Sequence, residues 1–246
     1  EADVRYVGRV EKLQAPRERT RPLVPGLSVG HVDITAGTLG CFVEAAGGVS
    51  ILSNNHVLAD ENRAAIGDAI VQPGRADGGE PPGDVVAELA AFVPLDVEGA
   101  NLVDAAVATV VPGIEVRAGE LPGGGALSAE LVEPAGALGL DVVKEGRTTG
   151  RTAGVVTAFN VSNLLVQYDI SSAVRFDGQI EVQAGGEEFS MGGDSGSLIV
   201  TAEDFRPVAL LFAGSDQGGE GGAPVTYANP IGAVMDGLGA TLHLGP

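Results

Sequence analysis

One cysteine in 246 residues, Cys41, has no partner for an internal disulfide, so packing alone must hold this chain together. That lone cysteine and the three histidines, His31, His56 and His243, show none of the clustered spacings a zinc site needs, and no metal is expected. No apolar run approaches the length of a membrane-spanning helix, which points to a soluble globular protein with no membrane partner. Basic residues are scarce: 14 stand against 33 acidic ones, for a net charge of −19. Six of the 14 crowd into residues 1–21, which leaves the remainder of the chain still more acidic. Such a field repels phosphate backbones, so a nucleic-acid partner is not expected, whereas a cationic substrate would be drawn in. Solubility is the plainer account of the same charge. The missing cysteine pairs favour the cytoplasm, and the chain starts at Glu1, so a targeting peptide lies outside what these residues can show.

What is abundant is glycine, at 38 residues, with 14 prolines and short runs of Val, Leu and Ala between them. That pattern predicts many short strands and an all-β fold. Residues 1–30 read as an extended arm broken by Pro16, Pro22 and Pro25, outside the core. From 36 to 58, two apolar runs around "EAAGG" predict a hairpin ending in a polar loop that carries His56. Strands are expected at 85–93, 104–111, 164–170, 178–184, 197–201 and 207–213, and one short amphipathic helix within 229–242. The tract "GELPGGGALSAE" (119–130) marks a boundary between two halves; it lacks the Lys-Ser/Thr of a phosphate loop. Asp77, Glu80 and Asp84 stand in a Pro/Gly loop without a calcium-binding pattern and read as solvated charge.

Three segments carry candidate chemistry: "LSNNHVLA" (52–59), "NLVDAAVATV" (101–110) and "GGDSGSLIV" (192–200). A serine hydroxyl is a poor nucleophile until a base removes its proton and fixed donors hold the oxyanion. Ser195 lies among glycines that permit positive φ, so the N–H groups of Gly193 and Ser195 could line one pocket. His56 is the natural base, and Asp104, opening an apolar strand, could orient it. Asp60 and Asp96 are rivals to Asp104 but sit in loop sequence. His31 and His243 read as structural or surface residues. Alone, Gly-Asp-Ser-Gly is often just a tight turn.

In this order and with these gaps, the three motifs resemble the chymotrypsin-like serine proteases, over roughly residues 30–240. Within that family the chain is most similar to bacterial trypsin-like proteases without disulfides and to their narrow-leaf-type plant relatives. The resemblance implies two six-stranded antiparallel β-barrels with a short C-terminal helix: an arm over 1–30, a barrel over 31–118 carrying His56 and Asp104, a connection over 119–130, and a barrel over 131–246 carrying Ser195. It implies a serine endopeptidase acting through an acyl-enzyme, without a cofactor, on a peptide laid along Ala213, Gly214 and Ser215. Departures from the pattern matter. Val57 and Met191 replace half-cystines of the secreted animal enzymes, and Phe189 stands where trypsin-type enzymes carry an acid at the base of the specificity pocket, so a small or apolar residue is expected before the cut. Asp194 needs a partner if buried: Arg147, Arg151 or backbone N–H groups are the candidates. A silent scaffold and an ester hydrolase remain alternative readings, and control by a protein partner or by removal of the arm stays open.

Overall fold

Alternating apolar residues punctuated by glycine and asparagine become strands, and the computed structural model, which describes residues 16–186 and 188–245, orders them in two halves. The first half holds β1 (Ser28–His31), β2 (Gly37–Thr38), β3 (Cys41–Ala45), β4 (Gly48–Ser53), α1 (Asn55–Leu58), β5 (Ala69–Val71), β6 (Val85–Phe92), β7 (Ala100–Asn101) and β8 (Ala106–Val110). The expected hairpin is β3–β4. Its two turn residues, Ala46 and Gly47, take φ of 52° and 86°, the mirror-image turn whose twist matches that of the strands it joins.

The second half contributes β9 (Asp141–Gly146), β10 (Gly150–Val161), β11 (Leu164–Tyr168), β12 (Ser171–Phe176), β13 (Gln179–Ala184), β14 (Leu198–Thr201), β15 (Pro207–Ser215), β16 (Val225–Pro230), α2 (Ile231–Leu238) and β17 (Thr241–Leu242). Six of these close into a barrel in the order β10-β13-β16-β15-β14-β9, as the resemblance implies. The first half differs from the six strands expected of it: it is a curled sheet of eight, ordered β17-β3-β4-β8-β6-β5-β1-β2, into which the C-terminal strand β17 has returned. β11 and β12 leave the barrel as a hairpin and pair with β7 of the first half.

The halves are not independent bodies. One apolar cluster joins Cys41, Val43 and Leu52 to Leu198, Leu210, Ile231, Val234 and Met235, so α2 is packed into a core that both halves share. Leu121 and Leu127, from the expected connection, are buried in it too. The described part of the N-terminal arm also departs from expectation. Leu23, Leu27 and Val29 are buried in the core of the first half, and residues 28–31 form β1, because the prolines interrupt helix without removing the apolar side chains between them. Residues 1–15 of that arm lie outside the described residues.

Candidate active site

β4 ends at Ser53, and the chain turns through the single helical turn α1, which carries His56 on its surface. Asp104 precedes β8, the strand paired with β4, so the ladder that fixes Ser53 against Ala106 also brings histidine and carboxylate together. His56 Nδ1 lies 2.5 Å from Asp104 Oδ2, and the His56 backbone N–H donates to Oδ1 at 3.2 Å. With a carboxylate accepting at Nδ1, the neutral imidazole keeps its proton there and leaves Nε2 as the acceptor.

Asp104 is fully buried, and its neighbours account for how a charge survives there. The Tyr168 hydroxyl donates to Oδ2 at 2.6 Å. Asn54 Nδ2 donates to the Asp104 carbonyl at 2.7 Å, and the Asp104 N–H donates to Asn229 Oδ1 at 3.0 Å. Burial alone would raise the carboxyl's pKa; the charge and hydrogen bond of His56, with the Tyr168 hydroxyl, outweigh it and hold the carboxyl below the ordinary aspartate value. For His56 the balance runs the other way. Burial pulls the imidazolium down, and Asp104, by charge and by hydrogen bond, with Glu61 beyond it, leaves the group raised above the ordinary histidine value.

From the other half, the Ser195 backbone comes up to the segment beside α1. Its carbonyl accepts the Thr38 N–H at 2.8 Å, and the Thr38 carbonyl accepts the Ser53 hydroxyl at 2.7 Å. Gly37 permits this approach: a Cβ there would stand 2.4 Å from the Val57 side chain and 3.1 Å from the Ser195 carbonyl, so the helical turn of His56 and the serine loop meet over a bare backbone. Gly193 and Gly196 take φ of 95° and 92°, as the motif requires. Among the described residues, no protein acceptor takes the N–H of Gly193 or of Ser195. The Ser195 hydroxyl, part-exposed, likewise has no hydrogen bond there, and none joins it to His56.

Asp194, fully buried, is held from several directions. It accepts backbone N–H groups from Thr148 at 2.7 Å, Thr149 at 3.2 Å and Met191 at 3.0 Å, and the Thr149 hydroxyl at 2.7 Å. Its counter-charge is Lys144 Nζ at 3.3 Å. Neither expected arginine serves: Arg147 is bound to Asp77 and Arg151 to Glu145. The alternation of β9 carried the missed signal, since its inward face reads Val142, Lys144, Gly146, and a lysine on that face must find an anion. Asp77, read as solvated, is instead nearly buried between Arg147 and the Ser28 hydroxyl, while Asp84 pairs with Arg19.

Ser195 opens onto a cavity of about 750 Å³ bounded by Ala213, Gly214 and Ser215 on one side and by residues 164–167 of β11 on another. Phe189 lines it, as expected, with its side chain packed into the core of the second barrel. Ser190 and Thr226, whose hydroxyls are 2.6 Å apart, line it as well. Glu188 and Asp216 are the charged residues on the rim among the described residues, and no described lysine or arginine lines the cavity. Away from it, His31 pairs with Asp68 and His243 with Glu44, while Asp60 binds Arg63 and Asp96 closes its own turn.

No family model and no curated protein matches the sequence. Solved structures do. A glutamic-acid-specific serine protease described as using a histidine triad in substrate binding superposes with a TM-score of 0.62 at 18% identity, over 90% of this chain and 100% of that one. Thermobifida fusca protease A gives 0.58 at 17% identity, over 90% and 98%. An alpha-lytic protease homolog, N4, gives 0.57 at 22% identity, over 89% and 97%.

Proposed function

We propose that this chain, whose fold is that of the chymotrypsin-like serine proteases, is a serine endopeptidase in which His56, Asp104 and Ser195 act together. The carrying observation is the part-exposed His56 paired with the buried Asp104, set beside a loop whose Gly193 and Ser195 N–H groups have no acceptor among the described residues. Nε2 of the neutral imidazole takes the Ser195 proton as Oγ attacks the peptide carbonyl. The two N–H groups receive the charge that develops on the carbonyl oxygen, and Asp104 stabilises the imidazolium. His56 returns the proton to the leaving amine, and water then repeats the sequence on the acyl-enzyme. Catalytic hydrogen bonds are often loose before substrate is bound and tighten with it, which fits the unformed Ser195–His56 contact.

The Asp194 cluster supports this reading, because a carboxylate satisfied from inside the barrel holds the oxyanion loop without an N-terminal amine. The peptide would lie along 213–215 as an added strand. An uncharged side chain before the cut suits a cavity with serine and threonine hydroxyls at one wall and carboxylates at the rim. Glutamate there would meet no lysine or arginine among the described residues, which does not favour the specificity named for one neighbour.

A fluorophosphonate probe tests the proposal. Labelling that disappears in Ser195→Ala is the expected result; an unlabelled wild-type protein favours the second reading, a silent scaffold, for which the unformed Ser195–His56 hydrogen bond is the observation in hand.

A further inference from the structure

Asp104 Oδ2 has two donors. One is His56 Nδ1; the other is Tyr168, which no motif marks and which arrives on β11 from the second half. The phenol ring is buried, meets the imidazole edge-on with centroids 5.8 Å apart at 71°, and lies stacked on Phe176, which packs in turn on Phe212. Walled in this way, the hydroxyl has one acceptor, a carboxylate oxygen already shared with the histidine.

The hairpin that carries Tyr168 is held from the loop behind His56. Asp60, Glu61 and Asn62 take φ of 46°, 53° and 71° in succession, left-handed backbone that is strained for a non-glycine residue. Paired amides fix that turn: Asn55 Nδ2 donates to Asn62 Oδ1 at 2.8 Å, and the Asn62 N–H donates to Asn55 Oδ1 at 3.0 Å. Glu61 then accepts the N–H groups of Asp169 at 3.1 Å and Ile170 at 2.8 Å, at the tip of the β11–β12 hairpin. The strained loop thus anchors the hairpin beside the histidine that precedes it in sequence.

We propose that Tyr168 is a positioning residue for His56, fixing the Asp104 carboxylate by its hydroxyl and drawing charge from Oδ2, with Glu61 holding the hairpin in place. The effect on rate rests on the serine-protease reading; the effect on His56 does not. A second donor on a carboxylate weakens its hold on the imidazolium, so removing that donor makes the imidazole more basic. The groups that face His56 are Asp104 before β8, Tyr168 on β11 and Glu61 in the loop after α1, with Arg63 beside Glu61.

The test is an NMR titration of the His56 ring in wild type and Tyr168→Phe, which keeps the ring and removes the oxygen. The expected midpoint rises by about half a pH unit, while kcat falls about tenfold with KM nearly unchanged, the scale of one hydrogen bond to a charged group. A 3-fluorotyrosine at the same position, a stronger donor, moves the midpoint down and keeps the proposal testable should the phenylalanine variant fold poorly. Midpoints that stay with wild type, or that move in the same direction in both proteins, overturn the assignment. If the protein takes no fluorophosphonate and cleaves no peptide, the protease reading fails, and the titration still decides the role of Tyr168.

Discussion

Lys144 shows how much one side chain can carry. It is fully buried on the inward face of β9, with Asp194, Thr149 and the Gly150 carbonyl as its partners. Removing it leaves a buried carboxylate without a cation, so Lys144→Met should lose about 3 kcal/mol, read from the urea midpoint at constant slope. A loss under about 1 kcal/mol would mean that the N–H groups of Thr148, Thr149 and Met191 suffice by themselves. The histidine makes a second residue-level claim. On the proposed protease reading the neutral imidazole is the base, and Asp104 holds its pKa above the ordinary 6.5, so kcat/KM should climb with pH through a midpoint above 6.5 and then level off. A midpoint at or below that value would show burial prevailing over the carboxylate. Cys41 enters neither prediction: burial pushes its thiol up to about 12, which makes it an inert hydrophobe.

Among the elements, the β11–β12 hairpin was the least visible in advance. Its first strand was legible as "LLVQY", but its return strand and its pairing with β7 were not, since "SSAVRF" alternates too weakly to mark a strand by itself. Glu61 ties the hairpin tip to the loop behind His56. Glu61→Gln keeps the size and halves the accepting capacity, so amide hydrogen exchange at Asp169 and Ile170 should quicken by about tenfold while the closed barrel exchanges as before. Uniform acceleration through the barrel would instead make Glu61 part of the global fold. The three candidate segments were easier to read. "SNNHVL" follows an apolar strand, "VDAAVA" opens one and "GGDSGSLIV" opens another, and each keeps that local context in the structure.

For the whole molecule, charge and closure matter most. A net charge of −19, with Glu188 and Asp216 on the cavity rim, sets up a field that gathers cations and repels anions. Of two peptides alike at the cut but flanked by lysines or by glutamates, the lysine peptide should show a kcat/KM higher by about tenfold at low ionic strength, and the gap should narrow in molar salt. A gap that survives salt would locate discrimination in direct contacts. Closure comes from the C-terminal segment, where α2 enters the shared core and β17 pairs with β3, joining residues 231–244 to the β3–β4 hairpin in one apolar cluster.

By itself the sequence determined what alternation and turn chemistry can write locally: strands, the β3–β4 hairpin, the short helix, and three segments whose residue types suit a nucleophile, a base and an acid. Tertiary structure decided everything that depends on which side chains meet. The barrel's curvature turns Lys144 toward Asp194, an excursion of the second half delivers Tyr168 to Asp104, and the first sheet takes back its last strand from the far end of the chain. Residue order encodes the face a side chain occupies, but a partner 50 or 64 positions away is chosen only when closed sheets and a shared core place two backbones side by side.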